Sequence, residues 1–398
     1  MKNKPGSPVE GDDFFNRPKD LARLQREIEN GNHILLTAPR RVGKTSLVLR
    51  LTENFRRTAW VAAYLNVEGC DDEISFAKKL VDALRNESIH TEFLTGLGLL
   101  LKKFRRATGG VKIGVGVNLE LGDSADADHS TLGRALESIF RRIEKEEQRD
   151  VLIAIDEMPE LLLAMAKHEH GVDRVAQFLH WLRALRQTYR KRIHWIFLGS
   201  IGLDSFVGDR NLGKTINDLV SLGLDALTPA EADRFLEILG NDNNLSLSAE
   251  TRHAIVSRVG WPLPHHLQLV FHALVDIGTT TADPVSVEAA IAHLLRPENL
   301  GQFDTWRQRL EEQFGSADAE TAKLILKHLC QHAKGRKRTQ LMNALMSARP
   351  HGDPDVTEGQ LSKLLQVLLR DGYLIESDRN YAFRSFLLRE YWSRREIR

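Results

Sequence analysis

Lys44 and Thr45 close the run Ala38-Pro39-Arg40-Arg41-Val42-Gly43-Lys44-Thr45, with Ser46 following. A lysine and a hydroxyl behind a turn glycine can hold phosphate. Backbone N–H groups cradle the anion, Lys44 reaches the β- and γ-phosphates, and Thr45 ligates Mg²⁺ through its hydroxyl. The pattern is G-x-x-x-x-G-K-[ST], with Ala38 at the place of the first glycine, a change of one methyl group. Such a loop requires an acidic metal partner at the end of a neighbouring strand, and Val151-Leu152-Ile153-Ala154-Ile155-Asp156-Glu157 supplies one. Asp156 is expected in the outer shell of the metal, and Glu157 is expected to orient and polarise an attacking water. Leu198-Gly199-Ser200 ends another apolar run, which puts the Ser200 hydroxyl where a γ-phosphate sensor would lie; a plain Gly-Ser turn is the alternative. A second match, Gly208 to Thr215, keeps both glycines, but no apolar strand of useful length leads into it, so it reads as a loop.

These side chains need a strand, a tight turn and a helix to position them. Leu21 to Glu29 reads as an amphipathic helix, Asn30-Gly31-Asn32 as its stop, His33 to Ala38 as a strand, and Lys44 to Phe55 as a helix. The free N–H groups at the start of that helix favour phosphate. Apolar runs recur at 59–67, 151–155, 194–199 and 219–227, with helical periodicity between them, as over Ser130 to Glu147; this alternation predicts a mostly parallel α/β sheet. Val111 to Leu121 breaks the rhythm with a period of two and reads as an inserted hairpin near 108–122.

After Pro229 the pattern is helical: 231–239, 248–259, a Gly260-Trp261-Pro262 turn, then 265–275. A connecting helix around 304–314 precedes helices near 319–333, 338–346 and 357–370. Two short strands follow, 373–376 and 381–384, joined by Ser377-Asp378-Arg379-Asn380. Three helices and a strand pair form the winged-helix pattern. The expected organisation is a phosphate-binding core over 1–227, a helical lid over 228–300, a linker helix over 301–318 and a winged helix over 319–398.

This order of features resembles the archaeal-type ATPase family of the AAA+/STAND group over most of the chain. Phe14-Phe15-Asn16-Arg17-Pro18-Lys19-Asp20-Leu21 is similar to the family's opening motif F-x-G-R-x-x-E-L, with Asn16 and Asp20 replacing glycine and glutamate. Ala38-Pro39-Arg40-Arg41 is similar to its G-P-R-R, Gly199-Ser200-Ile201-Gly202 to its sensor segment, and Gly260-Trp261-Pro262-Leu263 to its G-G-x-P lid turn, with Trp261 replacing a glycine. The segment from Tyr381-Ala382-Phe383-Arg384 to Tyr391-Trp392 resembles its winged-helix terminus. The resemblance implies an ASCE/AAA+ P-loop sheet of strand order 5-1-4-3-2, with ATP and Mg²⁺ as cofactors and ATP-dependent switching or assembly as the activity. It also implies that Arg17 lies near the adenine and that Pro262 brings the lid to the nucleotide. For Arg40 and Arg41 two readings stay open, an action on phosphate or a neighbouring subunit and a solvated loop role.

Composition narrows the partners. Lys+Arg of 55 against Asp+Glu of 54 leaves no whole-chain field for a polyanion, yet Ala319 to Arg398 carries 15 Lys+Arg against 9 Asp+Glu. Lys334-Gly335-Arg336-Lys337-Arg338 concentrates that excess, whereas the helix expected to read bases, Gln360 to Arg370, is leucine-rich. The winged helix therefore has two candidate partners, duplex DNA held through its backbone or a protein surface in cis or in trans, and ATP-dependent homo-oligomers belong to the first. Two distant cysteines, Cys70 and Cys330, fit free thiols in a reducing cytoplasm. No apolar run reaches the length of a membrane span. His265-His266 and His168-Glu169-His170 lack a second ligand at i, i+4 and do not read as metal sites. A purely structural nucleotide with negligible turnover is the non-enzymatic reading, and the intact Lys44, Thr45, Asp156 and Glu157 speak against it.

Overall fold

The computed structural model describes residues 1–15, 17–87, 129–200, 203–208, 210–314 and 316–396 of the 398-residue chain. The hairpin expected near 108–122 lies outside them. The chain packs as two compact units. One comprises Asn16–Thr37 and Lys44–Leu224; the other comprises Met1–Phe15, Ala38–Gly43 and Asp225–Arg398.

The first unit is built on β1 (His33–Ala38), β2 (Val61–Asn66), β3 (Val151–Asp156), β4 (Ile193–Ser200) and β5 (Leu219–Gly223), in the order β2-β3-β4-β1-β5. Read from the other edge this is the expected 5-1-4-3-2. The pairs β2/β3, β3/β4 and β1/β5 are parallel. All six residues of β3 are buried, as a near-continuous apolar run requires when helices cover both faces of a parallel sheet. Helices 73–86, 129–146 and 171–188 contribute Phe76, Leu80, Phe140, Ile143 and Phe178 to the core against β3 and β4. Arg186, 2% exposed, closes the rear: it forks onto Asp218 with two 2.8 Å bonds and donates to the Thr215 carbonyl at 2.6 Å. Burial alone would raise the Asp218 carboxyl, and the hydrogen bonds and charge of Arg186 more than offset it, so its pKa is lowered.

In the second unit four helices, 229–242, 249–259, 264–276 and 284–294, follow one another, with capping boxes at Thr228/Glu231 and Asp283/Ser286 satisfying N-terminal amides. Strands β6 (Ser246–Leu247) and β7 (Thr281–Ala282) pair between them. After the helix Gly301–Gln313 come helices 316–330, 338–348 and 354–370 and strands β8 (Arg336–Lys337), β9 (Leu374–Ser377) and β10 (Asn380–Phe383), in a sheet of order β8-β10-β9. The wing is tighter than the sequence suggested. Ser377 pairs with Asn380, so the connection shrinks from four residues to Asp378-Arg379, both left-handed as a two-residue hairpin turn needs. Half of the basic cluster, Arg336 and Lys337, forms the third strand of this sheet.

Candidate nucleotide site

Helix Lys44–Arg57 opens with Lys44, 7% exposed, followed by Thr45 and the buried Ser46. Because β1, β3 and β4 run the same way, their C-terminal ends share one edge of the sheet, and β3 delivers Asp156 there, 2% exposed. Thr45 Oγ1 donates to Asp156 Oδ2 at 2.7 Å. Tyr64 Oη donates to the same oxygen at 2.9 Å, and the Glu157 amide donates to Oδ1 at 2.9 Å. A hydroxyl and a carboxylate in mutual contact are hard oxygen donors that would suit a cation such as Mg²⁺. Glu157 leaves the strand direction at once: its φ of +57 puts it in the left-handed region, where it starts helix 158–166. A non-glycine residue held there costs on the order of 1 kcal/mol.

Ser200 ends β4, and only its backbone belongs to the described residues. Arg17, 8% exposed and left-handed at φ +82, precedes helix Pro18–Glu29 and pairs with Asp20 at 3.4 Å, so two residues of the opening motif contact each other.

The first part of the phosphate loop belongs to the other unit. Ala38 and Val42 are buried. Gly43 sits at φ +98 with nothing within 4 Å of where a Cβ would stand, so the backbone conformation and not crowding demands glycine. Arg41, also at positive φ, donates to the Gly6 carbonyl at 2.9 Å; burial, then the Arg40 charge, lowers its pKa. Its guanidinium is thus engaged with the N-terminal segment. Pro39 approaches Gly372, whose φ is +81 and whose Cβ would stand 2.4 Å from the Trp261 indole. Trp261 is 5% exposed, with the Arg384 guanidinium 4.4 Å above its ring. Gly260, φ +74, backs onto Phe386, where a Cβ would come within 2.6 Å. The tryptophan that replaces a lid glycine therefore fills a slot in the winged helix. Pro262 is buried, and its carbonyl accepts from Leu227 N at 3.2 Å.

The remaining motifs have structural duties. In the rival loop Thr215 is fully buried, with its hydroxyl on the Leu212 carbonyl at 2.7 Å, in a three-residue 3-10 turn. His266 is buried among Phe303, Trp306 and Ser385, and burial pushes it down to about 3. His170 occupies the position before helix 171–188, in the left-handed region and without a side-chain capping bond. Tyr64 was missed from sequence. Its signal was faint: a hydroxylated aromatic in β2 whose register partner, Ala154, lies two residues before Asp156, on the same sheet face.

No family profile matches this sequence, and no curated protein sequence does. Solved structures do. The Walker-type ATPase PABY2304 of Pyrococcus abyssi superposes over 98% of this chain and 99% of its own, with a TM-score of 0.65 at 15% identity. The ORC2 protein of Aeropyrum pernix, solved in ADPNP–ADP complexes, covers 96% of this chain and 95% of its own, with a TM-score of 0.53 at 14% identity. The chain has the AAA+ P-loop ATPase fold over nearly its full length.

Proposed function

We propose that this chain binds Mg²⁺·ATP, hydrolyses it, and uses the nucleotide state to set the winged helix. The core is 1–227, the lid 228–300, the linker helix 301–318 and the winged helix 319–398. Lys44 holds the β- and γ-phosphates, Thr45 the metal, Asp156 its water shell and Glu157 the attacking water, with Ser200 as γ-phosphate sensor and Arg17 and Pro262 at the nucleoside. Of the remaining loop residues, Ala38, Arg40 to Gly43 and Ser46 supply backbone amides, and Pro39, which has no N–H, belongs to the turn.

The observation that carries this reading is the bond from Thr45 Oγ1, at the start of the helix that follows β1, to Asp156 Oδ2 at the end of β3, 2.7 Å long, which brings together the hydroxyl and the carboxylate that a phosphate loop needs for its metal. The ADPNP and ADP in the complexes of the Aeropyrum protein support the ligand class.

For the winged helix the protein-facing reading is favoured over DNA. Arg338 is tied to Glu358 at 2.8 Å and Lys363 to Asp318 at 3.2 Å, and helix 354–370 begins with exposed Asp353, Asp355 and Glu358. Acidic groups at that helix start oppose phosphate. The test is ATP turnover and solution mass of parent and Lys44→Ala, with and without duplex DNA at low and moderate salt. The proposal expects ATP-dependent changes in the parent, none in Lys44→Ala, and indifference to DNA at moderate salt; DNA-stimulated turnover or assembly would transfer the role to DNA loading.

A further inference from the structure

The proposed function assigns no role to Tyr64, and the present inference rests on that function. Tyr64 lies on β2, an edge strand of the sheet, and is only partly buried. Its hydroxyl donates to Asp156 Oδ2, the oxygen that also accepts from Thr45. Asp156 offers about four lone-pair positions. Two on Oδ2 are taken by Tyr64 and Thr45 and one on Oδ1 by the Glu157 amide. One Oδ1 position is left for a metal-bound water.

We infer that Tyr64 is the positioning residue that holds Asp156 in the orientation that receives the Mg²⁺ hydration shell. The three donors come from three different places: β2, the phosphate-loop helix and the turn after β3. They do not have equal duties. Thr45 is itself the metal ligand, so its hydroxyl must satisfy metal and carboxylate together, and it holds Asp156 in a way that depends on the metal. The Glu157 amide fixes Oδ1 alone. Tyr64 has no metal duty and fixes Oδ2 whether or not Mg²⁺ is present. Removing its hydroxyl leaves Oδ2 held only by the group whose geometry changes on metal binding. The metal's outer shell then has to order the carboxylate that should already be in place. Such supports of metal sites act on metal affinity more than on fold.

The test is Tyr64→Phe in the full chain, read by the binding of a fluorescent ADP analogue titrated with Mg²⁺ and, separately, in EDTA. The inference expects metal-free binding and thermal stability close to the parent, and a half-saturating Mg²⁺ concentration raised about tenfold. It also expects turnover that is depressed at limiting Mg²⁺ and returns toward the parent value at high Mg²⁺. A variant with the parent's Mg²⁺ dependence would overturn the role of Tyr64 alone. So would one that loses metal-free binding and stability together, since that is a packing defect. A parent that shows no Mg²⁺-dependent nucleotide binding would overturn the proposed function and this inference with it.

Discussion

Asp156 and Glu157 are neighbours in sequence with different assignments because the backbone turns between them. Asp156 finishes a fully buried strand, and its carboxylate is held by three donors; Glu157, at φ +57, leaves the strand and precedes a helix. The same scale shows a titration. His33 starts β1 with Nε2 donating to the Arg186 carbonyl at 3.2 Å, a bond that the neutral and the protonated ring can both make. Burial is the main cause that brings its pKa down to about 4 from 6.5. The unfolded chain therefore binds the extra proton first. The stabilisation is whole above pH 6.5 and is lost as pH falls toward 4, a change on the order of 3 kcal/mol. Chemical denaturation from pH 7 to 4.5 should show that decline, and His33→Asn, which has no titrating ring, should make it shallower.

At the scale of elements, the strand order and the run β1–loop–helix were legible because burial on both faces writes itself as apolar runs and the loop has a fixed spacing. Asp156 was legible because a phosphate loop calls for a carboxylate at the end of such a run. The slot for Trp261 was not, since it depends on Gly372, more than a hundred residues away, having no side chain. Nor was the bond from Tyr64, which needs the β2/β3 register to be seen. The wing was misjudged by one pair because Ser377 and Asn380 look like turn residues yet complete the ladder. The Trp261 slot makes its own prediction. Gly372→Ala places a methyl against the indole at a positive φ, and should lower the melting temperature by several degrees. The same substitution in a Trp261→Gly background should cost less, because the clash is gone and only backbone strain remains. Equal losses in both backgrounds would show that the indole is not what Gly372 accommodates.

At the scale of the molecule, the chain divides into two compact units, and two N-terminal segments, the first fifteen residues and six residues of the phosphate loop, group with the C-terminal half. Domain reading from sequence places that loop wholly in the core, because it is contiguous with the strand and helix on either side. The local excess of positive charge in the winged helix was also legible, but not its use: ion pairs to Glu358 and Asp318 engage two of its cations. No described helix is long and apolar enough to cross a membrane. The proposed function rests on hydrolysis with Glu157 as the water-orienting residue. The most direct measurement is ATP turnover and ATP affinity of the full chain and of Glu157→Gln, side by side in saturating Mg²⁺. The account predicts equal affinity and a turnover reduced by roughly 10²-fold or more, as loss of a positioned general base does. A Glu157→Gln protein that hydrolyses ATP at the parent rate, or a parent that does not bind ATP, would contradict it.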